Sequence, residues 1–142
     1  MKTLKQLLAE KKAPLAVVAP QDSVFHALEV MATHNVGALL VMDGEQLVGI
    51  FSERDYARRL ILHGKSSRET LVREIMSDRV AFVTLQNNLD ECMALMTDKR
   101  FRHLPVLDDG HVIGIISIGD LVKEIIESQK IIIAHLERYI SG

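Results

Sequence analysis

The chain has 142 residues, enough for one compact domain or for two small halves that share a core; a globule of this size buries about 68–70% of its unfolded surface. Hydrophobic residues make up 48% and prolines number only three, which argues against disorder. Seventeen basic against nineteen acidic side chains leave a net charge of −2, so there is no global field to hold a nucleic acid or an anionic membrane, and any anion must be caught by a local cluster.

In chain order, residues 3–12 read as a short amphipathic helix with Leu4, Leu7 and Leu8 on one side, ended by Pro14. This start is charged and lacks the apolar run and small-residue cleavage site of a secretory signal. No apolar stretch approaches the ~18 residues needed to cross a bilayer, so a soluble, cytoplasmic protein with no membrane or nucleic-acid partner is expected. Val17-Val18 predicts a short strand, Asp22-Ser23 an N-cap, and Val24, Ala27, Leu28, Met31 and Ala32 recur at helical spacing to about His34. Two apolar runs, from Ala38 to Met42 and from Gln46 to Phe51, flank Asp43-Gly44-Glu45 and predict a hairpin, followed by a helix from Ser52 to about Leu62. Gly64-Lys65-Ser66-Ser67-Arg68 reads as a linker, with Leu71 to Met76 returning towards the second half of the chain.

From Ala81 the pattern starts again: a strand over 81–83, a helix over about 88–98, a strand over 103–107, a turn at Asp108-Asp109-Gly110, a strand over 111–116 and a helix from Ser117. Gly49-Ile50-Phe51-Ser52-Glu53-Arg54-Asp55 and Gly114-Ile115-Ile116-Ser117-Ile118-Gly119-Asp120 are 65 residues apart, and the same spacing sets Val18 on Val83, Met31 on Met96, Leu39 on Leu104 and Val41 on Val106 without a gap. The expected fold is therefore α/β (α+β), two pseudo-two-fold-related β-α-β-β-α repeats packed sheet to sheet. The predicted divisions are a lead-in over 1–15, repeats over 16–63 and 81–126, a linker over 64–80 and a C-terminal helix extension over 127–142. One half of ~45 residues is near the lower limit for folding alone. The last helix, running on through Ile131-Ile132-Ile133 and Ile140, offers more apolar surface than one small domain uses.

Pairing two such halves leaves clefts lined by strand ends and helix N-termini, whose unpaired N–H groups suit an anion. Ser52-x-x-Asp55 and Ser117-x-x-Asp120 fall at these helix starts, and helix capping alone accounts for a serine followed three residues on by an acid. Other features point beyond capping. Gly49 and Gly114 sit inside strands, where glycine costs stability unless something approaches the backbone closely. Arg54 adds a cation beside Asp55, and Arg102 and His103 open a strand whose counterparts, Gly37 and Ala38, are small and neutral. A carboxylate suits a vicinal diol, and arginine, histidine and helix N–H groups suit a phosphate, so a nucleoside phosphate matches both. Short strands near Val18 and Val83-Thr84 are the expected walls of a base slot.

The duplicated unit with its Gly-apolar-apolar-Ser-x-x-Asp motif resembles a tandem pair of CBS domains, the Bateman module, over residues 16 to about 126, and Ser52-Glu53-Arg54-Asp55-Tyr56 with the Gly64-Lys65-Ser66-Ser67 linker resembles the small stand-alone bacterial kind. Arg102-His103-Leu104-Pro105-Val106 resembles a basic-basic-Leu-Pro-Val strand of AMP-activated kinase gamma subunits, whose basic pair meets phosphate. The resemblance implies ribose contacts for Ser52 and Asp55 in one cleft and for Ser117 and Asp120 in the other, with Arg54, Arg102 and His103 facing phosphates. Because Gly119 replaces Arg54 and Gly37-Ala38 lacks the basic pair, the clefts are expected to be unequal, the Asp120 cleft ranking first with Arg54 reaching across. The implied function is a non-enzymatic sensor of AMP, ADP, ATP or NAD(H), with no catalytic cofactor, working as a homodimer on an unidentified target protein. The alternative is an adaptor without ligand control. Cys92, aligned with Ala27, reads as core filling, the histidines other than His103 as structural or surface groups, and no metal set, Gly-x-Ser-x-Gly elbow or Walker loop is seen.

Overall fold

The computed structural model describes residues 1–11 and 15–141, so the predicted stop of the first helix at Pro14 lies outside the described residues. The first repeat comprises β1 (Val17–Val18), α2 (Val24–His34), β2 (Ala38–Asp43), β3 (Gln46–Ser52) and α3 (Glu53–Asp55), preceded by α1 (Leu4–Lys11). After α3 the helix widens into a π turn over Tyr56–Leu60 and closes as a 3₁₀ turn over Ile61–His63. The second comprises β4 (Val83–Thr84), α5 (Leu89–Lys99), β5 (His103–Asp108), β6 (His111–Ser117) and α6 (Ile118–Ser141), preceded by α4 (Val72–Ile75) inside the predicted linker. The strand expected over 81–83 lies slightly later, and Ala81 precedes it.

Each repeat makes a three-stranded sheet, β1-β2-β3 and β4-β5-β6, with a parallel first pair and an antiparallel hairpin. The two ladders match residue for residue: Ala38 faces Ser52 and His103 faces Ser117, Val41 faces Gly49 and Val106 faces Gly114, and each slips register just past that point. The hairpin turns place Gly44 at φ 62° and Gly110 at φ 78°, a left-handed backbone that glycine adopts without a Cβ clash. The Ser23 hydroxyl accepts from the His26 amide at the start of α2, and Asn88 opens α5 with a reciprocal capping box to Glu91.

Two cores result. One joins Val18, Val24, Ala27, Met31, Leu39, Val41, Phe51 and Leu60; the other joins Val83, Leu89, Cys92, Met96, Leu104, Val106, Ile116 and Leu121. Burial pushes the Cys92 thiol up, a nearby Glu91 charge adding to it, as suits a core filler.

Each core borrows its last wall from the segment that leads into the other repeat. Leu4 of α1 is buried in the second core, with Leu7 and Leu8 packed beside it. Val72 and Ile75 of α4 are buried in the first, with Met76 beside them. The two strand glycines make this exchange possible: a Cβ at Gly114 would lie 2.7 Å from Leu8 Cδ2, and one at Gly49 would lie 2.7 Å from Met76 Sδ and 2.9 Å from the Ser77 carbonyl. Ile50 and Ser77 also form a two-way backbone bridge, at 3.0 and 2.9 Å. The close approach expected at these glycines is thus made by the lead-in segments.

The 24-residue α6 is ~36 Å long at 1.5 Å per residue. Its buried residues, Leu121 and Glu124, fall in its first third, Glu124 accepting from the Lys2 amide at 3.1 Å, and every residue from Gln129 to Ser141 is exposed. Among the described residues no helix is long and apolar enough to cross a membrane.

Candidate functional site

The two Ser-x-x-Asp motifs are built as capping boxes, as local sequence chemistry dictates. Asp55 Oδ2 accepts from the Ser52 amide and hydroxyl at 3.0 Å each, while the Asp55 amide donates to Ser52 Oγ at 3.2 Å. Asp120 Oδ2 accepts from the Ser117 amide at 2.8 Å, and the Asp120 amide donates to Ser117 Oγ at 3.1 Å. Each cap uses one carboxylate oxygen, and an ionised carboxylate has about four lone-pair sites. Asp55 Oδ1 meets only the Ser77 hydroxyl at 3.4 Å and, at 3.9 Å, Arg59 Nε; Asp120 Oδ1 accepts no hydrogen bond from the described residues. Capping therefore leaves acceptor capacity on both groups.

Beside each motif the halves enclose an open cleft. The Asp55 cleft, about 230 Å³, joins the end of β3 and start of α3 to the segment before β4 and the start of β5. The Asp120 cleft, about 280 Å³, joins the end of β6 and start of α6 to Ala16 before β1 and Ala38 at the start of β2. Gly37 and His103 line both.

The clefts differ sharply in charge. Arg54, Arg79, Arg100 and Arg102 line the Asp55 cleft, and none of them forms an ion pair or a side-chain hydrogen bond among the described residues. Arg58 first, then burial, then Arg102 hold the Arg54 guanidinium below its ordinary value, with Asp55 opposing. In the Asp120 cleft Lys11 occupies the carboxylate, its Nζ donating to Asp120 Oδ2 and to the Ile115 carbonyl at 2.8 Å each. Burial pushes the Asp120 carboxyl up, but the Lys11 hydrogen bond, the Ser117 amide, the Lys11 charge and the Ser117 hydroxyl outweigh it and hold the group below the usual carboxylate value. Between the clefts, burial and then Lys11 lower His103, with Arg102 in the same sense and Asp120 and Asp55 opposing.

Ser52, Asp55, Arg54, Arg102 and His103 thus meet in one cleft, and Ser117, Asp120 and His103 in the other. Arg54 belongs to the Asp55 cleft and is absent from the lining of the Asp120 cleft, which corrects the expectation that it reaches across. Val18 and Val83 are core residues at 3% exposure and line neither cleft; Thr84 lines neither as well, its amide donating to Asn87 Oδ1. The clefts open where β2 and β5 begin, and in a parallel pairing that is the leading end of β1 and β4, so Ala16 and Ala81 take the place expected for the valines. Sequence reasoning missed Lys11, Ser77, Arg79 and Arg100. The 65-residue register held a signal for the two arginines, setting them opposite Pro14 and Asn35. Among the described residues no group of three or more histidine, cysteine or acidic side chains is placed to hold a metal ion.

Two repeats of one α/β unit that exchange their lead-in segments and enclose a cleft on either side of the pseudo-two-fold define a tandem-repeat module. The family model for the CBS domain matches residues 8–62 and 72–127, and the chain belongs to that family as a tandem pair. It is 43% identical over 126 residues to CBS domain-containing protein CBSX3, mitochondrial, of Arabidopsis thaliana, matching 85% of this chain and 61% of that protein, so it spans under two thirds of this relative's length. The crystal structure of the CBS domain NE2398 superimposes with a TM-score of 0.83 at 56% identity, over 89% of this chain and 99% of that one. A protein with CBS domains from Burkholderia ambifaria MC40-6, assigned provisionally to signal transduction, gives 0.84 at 48% identity, over 90% and 96%. The CBS pair of MJ0100, crystallised with 5′-methylthioadenosine and S-adenosyl-L-methionine, shares the fold at a TM-score of 0.78 and 24% identity, over 90% and 98%.

Proposed function

We propose that this chain is a non-enzymatic regulatory module that binds an adenine nucleotide, AMP, ADP, ATP or NAD(H), between its repeats, and that the ligand shifts the conformation of a homodimer. The observation that carries this reading is an open cleft lined by a serine–aspartate pair whose carboxylate retains acceptor capacity and by four guanidinium groups. A ribose diol matches the first and a phosphate the second. Further support comes from the fold neighbour MJ0100, which holds adenosine-based ligands. The Asp55 cleft ranks first, because four guanidinium groups without an ion-pair partner among the described residues line it, whereas in the other Lys11 neutralises Asp120.

The dimer rests on α6, where Val122, Ile126, Ile133, Leu136 and Ile140 are exposed along one side at helical spacing. A second copy presenting the same stripe covers it by symmetry. Ligand in the cleft biases the pair only as far as it binds the two arrangements unequally.

Titration calorimetry and thermal melting with AMP, ATP and NADH test the proposal. Ligand at one hundred times its Kd raises stability by about 2.7 kcal/mol, and Asp55→Asn weakens binding. Absence of heat and of any melting shift with all three nucleotides overturns it. The α6 stripe favours a second reading, an adaptor that docks a target protein without ligand control; such a protein melts identically with and without nucleotide.

A further inference from the structure

The internal duplication supplies a control for every residue of the cleft. Arg54, Arg79, Arg100 and Arg102 line the Asp55 cleft, and the 65-residue register sets them on Gly119, Pro14, Asn35 and Gly37, all uncharged. Four guanidinium groups come from four separate places: the first turn of α3, the segment after α4, the end of α5 and the lead into β5. Glu53 and Asp55 are the acids in the same lining, so the cleft carries two positive charges in excess, whereas Lys11 and Asp120 cancel in the other. Mutual repulsion is already felt, since Arg58 and Arg102 both lower Arg54.

Arg100 adds a backbone observation. It caps α5 at φ 58°, the left-handed region, where its counterpart Asn35 stands at φ 52°. Asparagine is enriched there, and a longer side chain meets a steric cost. An arginine at this position is not what helix capping selects.

Resting on the nucleotide reading above, we infer that the Asp55 cleft takes a nucleoside polyphosphate, with Arg79 and Arg100 selecting for phosphates beyond the first. Arg54, Arg102 and His103 lie near enough to Asp55 and to one another to feel each other's charge, so a single phosphate next to the ribose meets them, and further phosphates extend the negative charge towards Arg79 and Arg100, the remaining guanidiniums of the lining. At exposed, solvent-screened positions two charge-assisted contacts of this kind are together worth about a factor of ten. A ligand with a net positive charge, such as a sulfonium, is disfavoured in this cleft by the same excess. The Asp120 cleft has no comparable set and does not share the selectivity.

Calorimetry on the full chain with magnesium chelated, using ATP, AMP and inorganic tripolyphosphate, tests this. ATP is expected to bind one site per chain with affinity on the order of tenfold above AMP, the gap narrowing as salt rises. In the double variant Arg79→Ala with Arg100→Asn, ATP falls to the AMP level while AMP changes by less than about threefold. Arg100→Asn installs the residue that the other repeat uses, so the thermal midpoint serves as a folding control. AMP binding as tightly as ATP, or the double variant keeping its preference for ATP, overturns the selectivity and leaves the nucleotide reading standing. Tripolyphosphate binding that the double variant loses, with no nucleoside bound, supports the arginine site and overturns the nucleotide reading; binding of none of the three overturns both.

Discussion

Alanine at the two strand glycines should have unequal effects, although the sequence treats them as equivalents. Neither has a positive φ, so the cost is steric. At Gly49 the new methyl lies 2.9 Å from the Ser77 carbonyl, which accepts from the Ile50 amide while the Ser77 amide donates to the Ile50 carbonyl. Normal carbon–oxygen contact is about 3.3–3.6 Å, so that segment must retreat by roughly 0.5 Å. Overpacking costs about 1–3 kcal/mol and each weakened hydrogen bond about 1, against about 0.5–1 regained by removing a strand glycine. The net loss is about 2–4 kcal/mol, or roughly 6–15 °C in Tm for a chain of this size. At Gly114 the obstacle is Leu8 Cδ2, the tip of a flexible side chain. A rotamer shift costs about 0.5–1.5 kcal/mol and is largely offset, leaving a loss under about 1 kcal/mol. Urea unfolding of Gly49→Ala and Gly114→Ala measures both. Equal losses, or a larger loss at Gly114, refute the reasoning that a fixed carbonyl and a mobile methyl set the difference.

His103 is lowered in the folded chain, so the unfolded chain binds its proton first; the stability tied to neutral His103 is complete above about pH 6.5 and falls as pH drops below it. Urea melts across that range should lose part of their slope in His103→Gln. Asp120 lies below its ordinary 3.8, so its contribution is present above that pH and is lost as pH falls through the folded value. Lys11→Met, which installs the residue found at position 76, should raise the Asp120 pKa seen by NMR and cost about 1 kcal/mol or less at neutral pH, because the pair is partly exposed. Ile133→Glu with Leu136→Glu should leave the monomer's folding within about 0.5 kcal/mol, since both sites are exposed, yet abolish the proposed dimer in light scattering; a dimer that persists removes α6 from its interface.

The repeat was legible because its period is carried by buried residues: Leu39 and Leu104, Val41 and Val106, and Met31 and Met96 fill matching places in the two cores. The capping boxes were legible for the local reason that serine and aspartate three apart bond each other's amides. Partner choice across the molecule was not. Nothing in Leu4 or Val72 says which sheet it covers, since apolar spacing marks a face but not its occupant. Arg54 was assigned to the wrong cleft on the same account: helix position fixes where its Cα lies, whereas the cleft it lines depends on how the halves are set together. Ala16 and Ala81 line the clefts where Val18 and Val83 were expected, because the leading end of a two-residue strand is not marked by its own sequence.

The traded lead-in helices carry a consequence for how such a molecule arises and how it comes apart. A single repeat cut free forfeits one wall of its interior and exposes at Gly49 or Gly114 a groove shaped for a segment it no longer owns. Two identical free repeats are able to restore both walls by lending their leaders to each other. Duplication and fusion of a self-complementing ancestor would preserve that reciprocity within one chain, and the halves should then unfold together, neither persisting once the other has let go.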